Sequence, residues 1–369
     1  MTIAVLGAGM VGRAIALDLA KDFAVTSFDM SKQNLQLLNN KNATIQTAVQ
    51  DLNDYDAYPS FLKGFDIIVT AVPGFMGYNT LKAVIESGKN VIDISFFPED
   101  ALQLDALAKE KNVTAIVDCG VAPGMSNFII GRYNDEMEID ALEIYVGGLP
   151  VHPKPPFFYK APFSPIDVIE EYTRPARLKE NGVIVTKPAL TEREMMLFEG
   201  VGELEAFNTD GLRSLLYTMP HIQSQKEKTL RYPGHIDLII ALKQSGFFNE
   251  EKMMVEGKEI SPLQFTSKLL INEWKLGETE EELTVMKVIL HGEGKTISYE
   301  LLDYYDAATQ TSSMARTTGY TCTAAVNLLA KQMITKKGVF PPELIGADKT
   351  CFDFVLNYLK ARGINWKTK

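Results

Sequence analysis

Three glycines, Gly7, Gly9 and Gly12, stand at G-x-G-x-x-G spacing behind the apolar run "TIAVL", and Asp29 closes the next apolar run, "FAVTSF". That spacing suits phosphate chemistry. Gly7 allows a tight strand-to-helix turn, Gly9 lets the backbone approach a pyrophosphate, and Gly12 lets the helix pack on the strand. Met10 and Val11, at the helix start, turn free N–H groups and the positive dipole end toward the phosphates. Asp29 would accept hydrogen bonds from a ribose 2′-OH and repel a 2′-phosphate, which favours NAD over NADP. Three glycines can serve a turn alone, and a strand-end acid can serve a surface. The order strand, turn, helix, strand, acid is what favours a dinucleotide.

The second half holds other candidates in short polar segments: Arg213 in "DGLRS", and Arg231 and His235 in "LRYPGH". A guanidinium grips a carboxylate with two parallel hydrogen bonds, so either arginine suits an acidic substrate. Surface or interdomain ion pairing is the alternative use. His235 follows Pro-Gly at a helix start, as an acid/base group, a substrate contact or a helix cap. No H-E-x-x-H, spaced Cys/His cluster or G-x-S-x-G is present, so neither a metal site nor a serine nucleophile is expected.

These groups need elements to hold them. "ATIQTAV", "FDIIVTAV", "NVIDIS" and "TAIVDCG" continue the strands, with helical stretches between the last three. The alternation predicts a Rossmann-type, doubly wound parallel sheet over residues 1–120. Ligands on such sheets sit beyond the carboxyl ends of the strands. This puts "AVPGF", with Val72 and Pro73, and "DISFFPED" beside the cofactor, although Pro73 and Gly74 serve equally as a turn. From 121 the pattern changes to longer strands, "DALEIYVGGLP", "GVIVTKP", "ELEAFNT" and a hairpin around "HGEGK", predicting a second α/β domain with a mixed, largely antiparallel sheet. Prolines at 150, 153, 155, 156 and 162 make an extended loop that lines a cleft or connects elements. Two amphipathic helices follow Asp306, the first expected to end with Gly338 at C′ and the second with Gly363. They are expected to return to the first domain, giving an NAD-binding domain of 1–120 with 312–369 and a substrate and oligomerisation domain of 121–311.

The chain's 369 residues suit two domains, and 46% hydrophobic with 23% charged residues is an ordinary globular composition. A net charge of -10 disfavours nucleic acid and anionic membranes. The three cysteines lie far apart, and no apolar run approaches the roughly 18 residues of a membrane span. A cytoplasmic setting is the expectation.

Taken together, "GAGMVG", "VPGF", "DISFFPE", "CGVAPGMSN", "YVGGLP", "IEEYTRPAR", "DGLRS", "LRYPGH" and "MARTTGYT" span nearly the whole chain. In this set the chain resembles the saccharopine dehydrogenase family, and within it the lysine 6-dehydrogenases. The resemblance implies NAD-dependent oxidation of the ε-amine of L-lysine to the 6-semialdehyde, which cyclises to a piperideine carboxylate, with release of ammonia. It also implies a homodimer or larger assembly formed through the second domain. Hydride leaves an amine carbon only when its nitrogen is neutral, so a base is required. On this basis Arg213 and Arg231 are assigned the substrate carboxylate and His235 or Lys160 the proton. Asp93 and Glu99 are assigned to hold the amine, and Tyr159 to shape the cleft. Imine-reducing relatives that make saccharopine or carboxynorspermidine are the alternative, and a dinucleotide sensor without catalysis is an alternative of another class.

Overall fold

The computed structural model describes all 369 residues. Strands β1 (Thr2–Leu6), β2 (Ala24–Asp29), β3 (Gln46–Val49), β4 (Ile67–Thr70), β5 (Asn90–Asp93) and β6 (Thr114–Ile116) pair in parallel in the order 3-2-1-4-5-6. Ile3 to Leu6 and all of β4 are buried, as strands covered by helices on both faces must be. The order reverses between β1 and β4. Register sets Leu6 level with Phe28 and Thr70, and Thr70 level with Asp93. Gly7, Asp29, Ala71 to Pro73 and Asp93 therefore share one edge, where open α/β sheets hold ligands.

A seventh parallel strand, Gly338–Phe340, joins β6. This corrects the expected helix end. The helix Ser313–Ala330 stops earlier because Gln332 adopts φ 57° and the Met333 N–H returns to the Leu328 carbonyl, while Gly338, at φ 131°, opens the strand instead. The last helix, Lys349–Lys360, does close near Gly363, which lies at φ 82°. Beyond it, Trp366–Thr368 pairs with Lys295–Tyr304 of the second sheet, so the final residues leave the first domain, to which 312–369 had been assigned as a whole. The helix Ser313–Ala330 packs on Met10–Leu19, where Asp18 takes hydrogen bonds from Lys21, Thr323, Tyr358 and Arg362. No helix is long and apolar enough to cross a membrane.

The second sheet runs Glu194–Phe198, Gly202–Asn208, Ser224–Arg231, Ala141–Pro150, Glu282–Gly292, Lys295–Tyr304, Trp366–Thr368, with Ala176–Glu180 and Val183–Lys187 attached beside Ser224–Arg231. Only Ser224–Arg231 and Ala141–Pro150 pair in parallel. The expected hairpin forms with Gly292 opposite Lys295, and its two turn residues, Glu293 and Gly294, take φ 51° and 69°, as a type I′ turn requires. Ser224–Arg231 was not visible as a strand in the sequence. Lys226 and Lys228 point to one face and Glu227, Thr229 and Arg231 to the other, so no apolar alternation marks it. The latter face looks toward the first domain, since the neighbouring Ile144, Met286 and Val288 share a core with Ile3, Val5 and Ile15.

Candidate functional site

The glycine turn separates into two kinds of position. A Cβ on Gly7, which sits at φ 109°, would collide with the Ala71 carbonyl, and one on Gly12 with the Gly7 carbonyl. Gly9 has no protein atom within 4 Å of its would-be Cβ. Nothing in the protein needs a glycine there, so the open space fits a pyrophosphate lying against the backbone. The helix Met10–Leu19 has no side-chain cap, which leaves its first N–H groups for that anion. Asp29 accepts from the N–H groups of Ala8 and Ser31, both at 2.7 Å, which fixes its carboxylate beside the turn. Gly9→Ala is expected to leave the melting temperature unchanged and weaken NADH binding on the order of tenfold, about one charged hydrogen bond, in a fluorescence titration. Gly7→Ala should lower the melting temperature as well.

Asp93 ends β5 on the same edge as Val72 and Pro73. It is wholly buried and accepts a 2.6 Å hydrogen bond from the Thr70 hydroxyl through Oδ1, while Oδ2 has no partner at full hydrogen-bond geometry, with the Ser95 hydroxyl and N–H lying close to the carboxyl. Burial pushes its pKa up to about 7, with the charge of Asp118 adding to the rise. The following loop inserts Phe96 and Phe97 under arginines of the second domain: Arg213 lies 5.2 and 4.8 Å from the two rings, and Arg174 lies 5.4 Å from Phe96. Arg213 Nε donates to Asp118, just past β6, at 2.7 Å. Its two terminal nitrogens donate to no protein atom, and Arg213 borders a small recess lined by Glu99, Asp100, Arg177, Ser214 and Tyr217. Asp167 closes the domains from another side, accepting from the Gly74 N–H at 3.2 Å, and burial lifts its pKa to about 7.

Arg231 differs from Arg213. It is 2% exposed and every nitrogen is engaged: Nε donates to the Tyr172 hydroxyl, Nη1 to the Leu230 carbonyl, and Nη2 to Glu171 at 2.7 Å and to the Tyr159 hydroxyl at 3.4 Å. The guanidinium carbon lies over the Tyr159 ring, 4.4 Å from its centroid. The assignment of Arg231 to a substrate carboxylate is thereby corrected, because its charge is already paired with Glu171 and four of its five N–H donors are bound within the protein. His235 is also fully buried, beside Trp274, with Nδ1 at 2.8 Å from the Phe157 carbonyl and Nε2 at 2.9 Å from the Tyr172 hydroxyl. A carbonyl only accepts, so the proton sits on Nδ1. Burial, with the charge of Arg231, holds its pKa down at about 3, so it is a neutral brace and not a base. Lys160 is corrected too, since its Nζ is tied to the Glu273 carbonyl at 2.6 Å. Glu99 is exposed at the rim of the Arg213 recess and does not reach into the buried row of Asp93.

Sequence reasoning missed Asp118, Asp167, Glu171 and Glu227. Asp118 stands just past a strand end, and the strand-end rule could have found it. Glu227 lies in the polar strand that carried no periodic signal. It is buried, and its Oε2 accepts from the Thr209 hydroxyl at 2.7 Å and the Gly211 N–H at 3.0 Å.

Comparison with known proteins bears on the family and the fold. Residues 3–116 match the saccharopine dehydrogenase NADP binding domain, and residues 120–364 match the saccharopine dehydrogenase C-terminal domain. Alpha-aminoadipic semialdehyde synthase of Mus musculus is 23% identical over the whole chain, which spans about half, 47%, of that protein's length. Saccharopine dehydrogenase [NADP(+), L-glutamate-forming] of Pyricularia oryzae is 23% identical over 73% of this chain and 63% of its own length. Carboxyaminopropylagmatine dehydrogenase of Synechocystis is 20% identical over 94% of this chain and 93% of its own. Among solved structures, apo saccharopine dehydrogenase (L-Glu forming) from Saccharomyces cerevisiae superposes with a TM-score of 0.79 at 19% identity, covering 100% of this chain and 99% of that one, and thus shares the fold. With both halves matched in order, the chain belongs to the saccharopine dehydrogenase family of nicotinamide-dinucleotide oxidoreductases.

Proposed function

We propose that this protein oxidises the ε-amine of L-lysine with NAD to an imine and NADH, and that water then hydrolyses the imine to ammonia and the 6-semialdehyde, which cyclises to a piperideine carboxylate. The observation that carries the reading is Asp93: a buried carboxyl with an unbonded oxygen, on the sheet edge beside the dinucleotide turn. Nicotinamide, when bound, supplies the hydride acceptor. The residues must hold the ε-carbon in place and take the ammonium proton first. An exposed carboxylate is a poor base toward an ammonium, their pKa values differing by about 6.5 units. With Asp93 lifted to about 7 the gap shrinks to about 3, and the same desolvation lowers the ammonium, so burial drives the two together. Arg213, with its terminal nitrogens free, takes the substrate carboxylate. Arg231, Tyr172 and His235 hold the wall of the cleft.

Asp29 supports NAD as the cofactor, although the matching domain is described by NADP. Asp29→Ser should narrow the ratio of kcat/KM for NAD over NADP on the order of tenfold, by removing one charge repulsion. The reading as a whole is tested by initial rates of NADH formation at alkaline pH with L-lysine, L-ornithine, saccharopine and diaminopimelate. Turnover of lysine with NAD supports it. Silence with lysine and activity with saccharopine, or only in reverse from an aldehyde and an amine, rejects it for the imine-reducing reading, which the matching length of the Synechocystis relative favours. The proposal includes a homodimer through the second domain, whose edge strand Glu194–Phe198 leaves Met195 and Leu197 exposed. Sedimentation velocity checks that part.

A further inference from the structure

Two contacts tie the second domain to the elements around the dinucleotide turn. Arg13 follows Gly12 in the helix Met10–Leu19, and its Nη2 donates to both carboxylate oxygens of Glu278, at 2.7 and 2.6 Å. Glu278 lies in the loop 275–281, between the helix Pro262–Trp274 and the strand Glu282–Gly292 of the second sheet. Lys41, the last residue of the helix Lys32–Lys41, donates from Nζ to the carbonyls of Thr309 and Gln310, at 3.0 and 2.7 Å, in the loop before the helix Ser313–Ala330. Arg13, Lys41, Glu278 and Gln310 border one recess, and Met10, the first residue of the dinucleotide helix, borders it with them. Burial and the Arg13 charge hold the Lys41 pKa below its usual value, while the Glu278 charge acts the other way.

Helical side chains lean back toward the N-terminus, so a long one in the first turn reaches the residues in front of the helix. Arg13 does this: its side chain is only 7% exposed, and Nη1 lies 3.5 Å from the Ala8 carbonyl. Ala8 is thus held on both sides, its N–H by Asp29 at 2.7 Å and its carbonyl by Arg13. The carbonyl and the following N–H of a trans peptide point in opposite directions, so turning the Ala8 carbonyl toward Arg13 also sets the direction of the Gly9 N–H. No protein atom accepts that N–H, and Gly9 is the residue with open space for a pyrophosphate. An ion pair on a protein surface usually contributes little. This one differs in that its arginine is buried against the glycine turn and its acid comes from the other domain.

We propose that Glu278 is a positioning residue of the dinucleotide site: it holds Arg13 against the glycine turn and fastens the loop 275–281 beside it, so that the cofactor leaves slowly until the pair opens. The inference needs only a bound nicotinamide dinucleotide, and it stands whichever amine or imine the protein acts on. The sign of the effect is informative. By its own charge Glu278 repels a pyrophosphate, so acting alone it would speed release; acting through Arg13 it slows release.

The test is dissociation of NADH, and of NADPH beside it, from the whole protein in stopped-flow displacement, with melting temperatures measured alongside. Glu278→Gln keeps the shape, and its position is half exposed, so the fold should tolerate it. This variant is expected to release the dinucleotide about fivefold faster than the wild type, the worth of one ion pair, with its melting temperature unchanged. The wild-type rate should also rise more steeply with salt, since only the wild type has the pair to screen. In an Arg13→Gln background the Glu278→Gln change should have no further effect, because Glu278 acts only through Arg13. Release at the wild-type rate or slower in Glu278→Gln overturns the proposal, as does a full Glu278 effect that persists without Arg13. Wild-type protein that binds neither dinucleotide overturns it as well. Should Arg13→Gln not fold, the Glu278→Gln rate and its salt dependence decide by themselves. Displacement involves no amino-acid substrate, so its outcome is independent of the lysine assay.

Discussion

Asp93→Asn should reduce the rate of lysine oxidation by about 10²- to 10⁴-fold, the usual worth of a positioned general base, while NADH binding stays as in the wild type. The amide still accepts the Thr70 hydroxyl bond, so the change removes proton affinity and little else. The wild-type pH profile carries the same information. A base works when deprotonated, so with a pKa of about 7 in the free protein, kcat/KM should fall as pH drops through 7 and level off above it. In the variant that acid limb should vanish. His235 contributes no limb between pH 5 and 8, because its pKa of about 3 keeps it neutral across the range. A limb that persists near pH 7 in Asp93→Asn would transfer the role of base to another group, with Asp167 next in line.

Arg231→Met should destabilise the protein by about 3–5 kcal/mol in equilibrium denaturation, the cost of leaving a buried acid without its cation. Glu171 is the stranded partner, since it takes Arg231 Nη2 at 2.7 Å and its side chain is only 16% exposed. The Tyr172 and Tyr159 hydroxyls lose their donor in the same step. Adding Glu171→Gln should return a large part of the loss, because a neutral amide needs no counter-ion. A small loss in the single variant, or no recovery in the double, would show that the aromatic packing around Tyr159, Tyr172 and Trp274 carries this wall without the charge pair. Arg213 has no such arrangement around its terminal nitrogens, and this separates a structural arginine from one available to substrate.

What the amino-acid order determined by itself was local. Glycine spacing, apolar runs and turn residues act within a few residues of one another, so the dinucleotide turn, the six parallel strands, the hairpin around "HGEGK" and the helix beginning at His235 were all legible. The strand Ser224–Arg231 was not, because Gln225, Glu227, Thr229 and Arg231 on its inner face give no apolar alternation, and their polar groups find partners only when the rest of the second domain packs over them. The same limit applied to the site. Arg213, Arg231, His235 and Lys160 are all of a type that does chemistry, and their spacing cannot tell a bound partner from an open cleft. Only the tertiary structure decided that Arg231 meets Glu171, that Lys160 meets a helix-end carbonyl, and that His235 lies too deep to carry a proton. It decided equally that Asp93 keeps an oxygen without a hydrogen-bond partner and that Glu227, unremarkable in the sequence, is held by Thr209 and Gly211. Charge and burial are set by what the rest of the chain packs against each group, and that is a property of the fold.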